Sequence, residues 1–254
     1  MTDPKAAGVF ATCTAAIDSG ELIHRASSRD KEFHFQDWFQ ERLKSAGLLF
    51  EAGGRNSYPD FRLVEHTEGF EVKGLAWPGR EANYDCNSQI PTGLHNGRAI
   101  YYVFGRYPAH PDDDAYPVVD LVVCDGDFLN SDHEYNHKNK SFWGFGSYGD
   151  IMIRDRKMYV APTPFALTAG TTGQKTLIVR EDISLPDDEF EKVGELTRVE
   201  TDRLIVAYSF DLTTNELTPS YSPNPTAGRE HAFAAYRVAG ASGPAVAMKE
   251  PDDA

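Results

Sequence analysis

Two acidic residues and a lysine stand out in the stretch YPDFRLVEHTEGFEVKGLAW, at positions 58–77. Asp60 follows a proline, and Glu71 and Lys73 come after ten further residues, two positions apart in an apolar run. Strand side chains alternate between two faces, so Glu71 and Lys73 are expected on the same face of a strand. Charges in a half-buried strand are costly unless something neutralises them. The pattern therefore indicates a site of chemistry.

Two carboxylates beside a lysine suit a hard divalent cation. Mg²⁺ takes oxygen ligands, keeps several waters and is usually held by one or two carboxylates together with a substrate phosphate. Such an ion polarises a phosphoryl oxygen and lowers the pKa of a bound water. A lysine beside it can orient that water and offset negative charge that develops at phosphorus. Asp60, Glu71 and Lys73 therefore predict Mg²⁺-assisted chemistry on a phosphate ester.

A β-hairpin has to bring these residues together. The segments DFRLVEH and GFEVKGLAW flank a short polar turn, which is typical of a hairpin. A symmetric turn centred on residues 67–68 would set Asp60 opposite Leu75 rather than Glu71. The two carboxylates therefore meet only through a bulge, a shifted register or a bend. Pro59 is compatible with a bend because it offers no donor to the strand ladder.

The elements around the hairpin predict a mixed central β-sheet flanked by helices. The run KEFHFQDWFQERLKSAG starts at Lys31, has apolar residues at helical spacing and stops at Gly47, a residue suited to a helix C-terminus. Residues 98–107 and 117–125 are rich in β-branched and aromatic residues, as central strands are. Further strands are expected at 175–182 and 202–212. The expected fold class is α/β or α+β.

One domain is expected over residues 1–218, with a catalytic core at about 31–125. The segments at about 78–98 and 126–218 would supply recognition or dimer contacts. From Pro219 the composition turns to Pro, Gly, Ala and Ser. Residues 219–254 are therefore expected to form a C-terminal segment that ends in a disordered tail.

Charge bears on the choice of partner. The net charge of −14 argues against nucleic acid, because phosphate binding normally needs a basic surface. Residues 1–110, however, hold 12 basic and 14 acidic residues, whereas residues 111–254 hold 13 and 25. Most of the excess acid therefore lies away from the hairpin. A locally basic cleft and a generally acidic, salt-adapted surface both stay open as explanations.

Other sequence features narrow the class further. There is no secretory leader pattern and no apolar window of membrane-spanning length, so we expect a cytoplasmic protein without a membrane partner. Cys13, Cys86 and Cys124 are widely spaced and are expected to be reduced thiols. No P-loop, dinucleotide-binding glycine fingerprint or GxSxG elbow occurs, which predicts no nucleotide cofactor.

The pair PD at 59–60 followed by EVK at 71–73 resembles the PD-(D/E)XK nuclease superfamily, which includes type II restriction endonucleases and some repair nucleases. The resemblance covers residues 31–125. It implies a restriction-endonuclease-like core, double-stranded DNA as substrate, Mg²⁺ as cofactor and, for a chain of this size, a homodimer on palindromic DNA.

The resemblance also implies residue roles. Asp60 and Glu71 would hold the metal, the carbonyl of Val72 would add a ligand, and Lys73 would position the attacking water. An acidic residue on the preceding helix often joins this set in the family, and Glu32 is the candidate here.

The segment between the hairpin and the next strand contains residue types that bond base edges and phosphates. They are also ordinary loop-forming types, and both interpretations stay open. The candidate DNA-binding residues are Arg80, Asn83, Asn87, Gln89, His95, Asn96 and Arg98, together with Lys138 and Lys140 further along.

A competing motif is HEYNH at 133–137, which matches the HExxH pattern of zinc proteases. Its flanks lack an apolar helix face, and no third ligand follows about twenty residues on, so a solvated or DNA-facing loop is preferred. The favoured hypothesis is a Mg²⁺-dependent, site-specific double-stranded DNA endonuclease of type II restriction character. The alternatives are a repair or structure-specific nuclease of the same superfamily, a non-catalytic DNA-binding module, and an ordinary Glu71–Lys73 contact on a surface hairpin.

Overall fold

The structure is a computed structural model, and it describes residues 4–25, 31–54, 57–79, 82–87, 89–131, 144–155, 158–165 and 172–244. Its helices are α1 Lys5–Asp18, α2 Lys31–Ser45 and a short 3₁₀ turn, Gly126–Phe128. The first eight strands are β1 Ile23–His24, β2 Phe50–Ala52, β3 Phe61–Leu63, β4 Glu68–Trp77, β5 Asn83–Asn87, β6 Leu94–His95, β7 Arg98–Pro108 and β8 Ala115–Tyr116. The remaining strands are β9 Asp120–Asp125, β10 Met152–Asp155, β11 Met158–Pro162, β12 Lys175–Arg180, β13 Phe190–Val199, β14 Arg203–Phe210, β15 Leu217–Pro223 and β16 Glu230–Val238.

A nine-stranded mixed sheet is the centre of the molecule. Its strands run in the order β13-β16-β12-β9-β7-β4-β3-β2, and β6 pairs with the start of β7. The pairs β4–β7 and β9–β12 are parallel, and the others are antiparallel. With two α-helices in the described part of the chain, this is an α+β fold, which confirms the predicted mixed sheet. Neither helix is long and apolar enough to cross a membrane.

The two helices cover one face of the large sheet. Phe35 and Phe39 of α2 pack with Phe70 and Val72 of β4, and the Phe39 and Phe70 rings meet edge to face with centroids 5.5 Å apart. The predicted helix from Lys31 is confirmed, and the chain leaves it through a glycine at position 47 with φ of 69°. The opposite face of the sheet is therefore covered by elements other than these two helices.

That opposite face packs against a second, three-stranded sheet of order β10-β11-β5. Tyr84 and Cys86 of β5 pack on Leu75 of β4 and on Tyr102 and Phe104 of β7. The segment at 78–98 is therefore not only loop, because β5 forms part of this covering layer. The cysteines at positions 13, 86 and 124 are free and buried, in agreement with the expectation of reduced thiols.

The C-terminal segment contributes to the centre of the fold. Strand β16 lies between β12 and β13 in the large sheet, so the composition shift at Pro219 does not coincide with an edge of the sheet. Alternation of Phe233 and Ala235 with Ala234 and Tyr236 fits a strand that is buried on both faces. Small residues in this strand fit between two packed layers. The predicted tail at 245–254 lies outside the described residues.

Asp125, at the end of β9, is a carboxylic acid in a buried position. It is 6% exposed, and its carboxylate accepts a hydrogen bond from the backbone N–H of Asp127 at 2.9 Å. Burial first, and then the neighbouring Asp127 carboxylate, raise the pKa of Asp125 from 3.8 to about 7.

We predict that Asp125→Asn is more stable than the wild type at pH 8 and equal to it near pH 4. Between these values the folded wild type holds a proton that the unfolded chain has released, so wild-type stability falls as pH rises, by at most about 4 kcal/mol. Asparagine keeps the cap without the charge. Urea unfolding at several pH values measures the difference, with exposed Asp187→Asn as control. A less stable Asp125→Asn at pH 8 would contradict the prediction.

Candidate active site

The register of the β3–β4 hairpin decides where the acidic residues lie. Phe61 pairs with Phe70, and Arg62 pairs with Gly69. Extending this pairing by one residue sets Asp60 opposite Glu71. The turn is therefore centred on residues 65–66, two positions earlier than a symmetric turn at 67–68. This shifted register is what brings the two acidic positions together.

Contacts from outside the hairpin hold this register. The Arg98 guanidinium donates to the carbonyls of Leu63 and His66 at 2.7 and 2.8 Å. The Glu68 carboxylate accepts from the backbone N–H groups of Lys5 and Ala6, at 2.9 and 3.0 Å, and so caps α1. The hairpin turn is thereby tied to β7 on one side and to α1 on the other.

Asp60 continues the hairpin ladder with its side chain. Its Oδ2 accepts a hydrogen bond from the backbone N–H of Val72 at 2.8 Å, just beyond the last β3–β4 pair. The N–H and C=O of one strand residue point toward the same neighbouring strand. The Val72 carbonyl therefore also faces the Asp60 edge, which is where the family resemblance requires a metal ligand.

Glu71 and Lys73 form a buried ion pair. Lys73 Nζ lies 2.8 Å from Glu71 Oε1, and the two residues are 7% and 9% exposed. They project away from the helix face that Phe70 and Val72 occupy, as the strand alternation predicted. Glu71 Oε2 is buried and has no hydrogen-bond partner among the residues that the structure describes. A buried carboxylate oxygen without a partner is unfavourable unless another group binds there.

Hydroxyl groups adjoin the carboxylates. The Tyr58 and Tyr102 Oη atoms are 2.9 Å apart, and Tyr102 is the cross-strand partner of Glu71. Burial, and then the Glu71 carboxylate, raise the pKa of the Tyr58 phenol well above its usual value. The Cys86 thiol has its pKa raised to about 12, chiefly by burial, so it is a protonated thiol and not a nucleophile at neutral pH.

The predicted DNA-binding residues differ in their distance from the candidate site and in their hydrogen bonds. His95 lies beside the site, with its ring 4.9 Å from that of Tyr58 and edge to face. Asn96 has φ of 50° in the tight β6–β7 turn and bonds His95 Nε2 at 2.9 Å. Gln89 Nε2 donates to the adjacent Ile90 carbonyl at 3.0 Å. Tyr58 and Tyr102 adjoin the site although the sequence assigned them no role in it.

Two other predicted residues differ in what the structure shows. Asn83 is exposed at the start of β5. Arg98 has a structural role in the hairpin, because its guanidinium is bonded to backbone carbonyls. The remaining predictions fall outside the described residues or side chains: Arg80, Lys138, Lys140 and the HEYNH segment, and the side chains of Glu32 and Asn87.

The candidate metal ligands are a pair of carboxylates. In the described part of the chain, no group of three or more His, Cys, Asp and Glu side chains converges as metal ligands. Asp60 and Glu71 provide two carboxylates, and a site of this size suits Mg²⁺, which keeps several waters. Glu71 Oε2, which has no hydrogen-bond partner among the described residues, and the orientation of the Val72 carbonyl fit an ion at this place.

A polar cleft of about 310 Å³ lies elsewhere, at the ends of β12 and β16. Its charges are largely paired, since Arg180 bonds Asp182 through two nitrogens, at 3.2 and 3.1 Å. The cleft contains none of the predicted catalytic residues. Its lining is Asp127, Arg180, Glu181, Asp182, Arg229, His231, Ala232 and Phe233.

Comparison of the chain with protein-family models, with curated proteins and with solved structures finds no match. The nuclease interpretation therefore depends on the motif and on the geometry described above.

We predict that Lys73→Met destabilises the protein by about 3–5 kcal/mol, because it leaves the Glu71 carboxylate buried without its partner. The double variant Glu71→Leu with Lys73→Met removes both charges and should recover most of this loss. Urea unfolding gives the free energies. Lys44→Met is the matched control, because Lys44 pairs with Glu41 on the surface and its loss should cost under about 1 kcal/mol. Equal losses for Lys73→Met and Lys44→Met would contradict the buried pair.

Proposed function

We propose that this chain is a Mg²⁺-dependent deoxyribonuclease with a restriction-endonuclease-like core, and that Asp60, Glu71 and Lys73 form its active site. The observation that carries the proposal is the hairpin register, which sets Asp60 opposite Glu71 and leaves Lys73 bonded to Glu71 at 2.8 Å. Order, spacing and strand placement of the three residues all agree with the PD-(D/E)XK pattern. A chance match of two short motifs does not require the two acids to meet.

Asp60, Glu71 and the Val72 carbonyl would hold the metal. When bound, Mg²⁺ supplies Lewis-acid polarisation of a phosphate oxygen and a more acidic water. Lys73 Nζ, held by Glu71, would orient the attacking water and offset charge at phosphorus. Hydrolysis adds water across one P–O bond of the phosphodiester, which leaves a phosphate at one end of the cut strand and a hydroxyl at the other.

Burial limits how the substrate can approach. Glu71 and Lys73 are almost wholly covered, whereas Asp60, Tyr58 and His95 are each partly exposed. A phosphate therefore has to reach the site from the Asp60 edge, past the β6–β7 turn. Asn96 at that turn is exposed, and we propose that it contacts DNA; double-stranded DNA with a homodimer of this chain is the proposed complex.

The decisive test is cleavage of supercoiled plasmid. We expect the wild type to cut it with Mg²⁺ and not with EDTA, and we expect Asp60→Ala to lose at least about 100-fold in rate because a metal ligand is gone. Glu65→Gln, a change of an exposed acid in the same hairpin, should cut at the wild-type rate.

Each outcome has a separate meaning. Discrete fragments indicate a site-specific enzyme, and a smear indicates a repair or nonspecific nuclease of the same superfamily. DNA binding without cleavage would leave the non-catalytic binding module. Cleavage that is unaffected by Asp60→Ala would overturn the assignment of the active site.

A further inference from the structure

The tyrosine pair has one hydroxyl hydrogen that is not used in the hydrogen bond between the two residues. Tyr58 and Tyr102 carry one hydroxyl proton each, and their single mutual hydrogen bond of 2.9 Å uses one of them. Neither hydroxyl makes another hydrogen bond within the part of the chain that the structure describes. Glu71 Oε2, although buried close by, is not an acceptor for it either. One O–H group therefore remains available beside the carboxylates.

The two tyrosines differ in solvent exposure. This difference indicates which hydroxyl proton is available to a bound substrate. Tyr102 is 2% exposed and lies under the β5 layer, where it packs near Tyr84. Tyr58 is only partly buried and directly precedes the Pro59–Asp60 motif. If Tyr102 donates to Tyr58, the Tyr58 hydroxyl keeps a free proton, and Tyr58 is the partly exposed residue of the pair, two positions before Asp60.

Both phenols are in the donor form at neutral pH. A phenol ordinarily loses its proton only near pH 10, so Tyr58 and Tyr102 each carry a hydroxyl hydrogen there. A phosphate brought next to Asp60 and Glu71 adds a third negative group, and Lys73 is the cation that the hairpin provides there. A neutral O–H donor can bond a phosphate oxygen at such a place without the desolvation penalty of a buried charge.

The Tyr58 ring is held in place from its other side. His95 meets it edge to face, with centroids 4.9 Å apart and ring planes at 85°, and Asn96 bonds His95 Nε2. An aromatic pair of this geometry is favourable. The ring is therefore fixed between Tyr102 and the turn that we place against DNA.

We propose that Tyr58 is a further catalytic residue, whose hydroxyl donates a hydrogen bond to a nonbridging oxygen of the scissile phosphate while Tyr102 donates to Tyr58. This role rests on the proposed nuclease function. It adds a neutral donor to an active site whose other catalytic side chains are one lysine and two carboxylates.

The test compares Tyr58→Phe with Tyr102→Phe in Mg²⁺-dependent plasmid cleavage. Tyr58→Phe should lower kcat about 100-fold, as loss of a donor to developing oxyanion charge does. Tyr102→Phe removes only the bond to Tyr58 and should lower kcat about fivefold, the equivalent of one neutral hydrogen bond. Each variant leaves one hydroxyl of the pair without its partner, so the thermal unfolding midpoints of both should fall by a similar small amount. A structural role would give the reverse order, because Tyr102 is the more deeply buried residue.

A second readout reports the contact itself. DNA with phosphorothioate linkages places sulfur, a weaker acceptor, at the scissile phosphate, so it should slow the wild type more than it slows Tyr58→Phe. Equal thio effects, or a Tyr58→Phe enzyme as fast as the wild type, would overturn the inference and leave the nuclease assignment intact. A wild type that does not cleave DNA would overturn both.

Discussion

The hydrogen bond between the Asp60 carboxylate and the Val72 amide is the interaction on which the site depends. It lies just beyond the last backbone pair of the hairpin and fixes Asp60 opposite Glu71. A slip of one residue would send Glu71 and Lys73 to the helix face and Val72 to the other. The register is protected by two tertiary contacts, since Arg98 bonds the turn and Glu68 caps α1. The same few polar contacts therefore position the hairpin and the residues of the candidate site.

The charges of β4 lie where a protein core normally has none. A buried ion pair loses the hydration of both groups, and the mutual attraction rarely exceeds that loss by much. Glu71 adds a buried carboxylate oxygen that has no hydrogen-bond partner among the described residues. Stability alone does not account for such an arrangement. A ligand that binds this oxygen would account for it, and the proposed divalent cation next to Asp60 would have the matching charge.

Much of this site could be predicted from the sequence because it depends on local patterns. Strand alternation put Glu71 and Lys73 on one face, and the apolar spacing from Lys31 gave α2. The turn centre was predicted two residues late, because long-range contacts from Arg98 and Glu68 set it. Tyr102 is the core residue that its strand context indicated. Its hydrogen bond to Tyr58 joins residues that are 44 positions apart in sequence, and no local sequence pattern predicts it.

Other parts of the fold could not be predicted from local sequence patterns either, because they also depend on contacts between distant residues. The Ala-rich β16 has a composition typical of a loop or tail, yet it is a central strand because its small side chains fit between two layers. The segment that includes β5 covers the sheet face of Glu71 and Lys73 because β11 pairs with it from far along the chain. Val160, for example, pairs with Asp85, 75 positions earlier.

The central claim is that one divalent ion binds between Asp60 and Glu71. Crystals soaked in Mn²⁺, which gives an anomalous signal and accepts the same oxygen ligands as Mg²⁺, test it most directly. We expect an anomalous peak at bonding distance from both carboxylates and from the Val72 carbonyl, and we expect it to be absent in Asp60→Asn crystals. A Glu71–Lys73 pair unchanged beside an empty Asp60 edge, with Mn²⁺ bound elsewhere or nowhere, would contradict it.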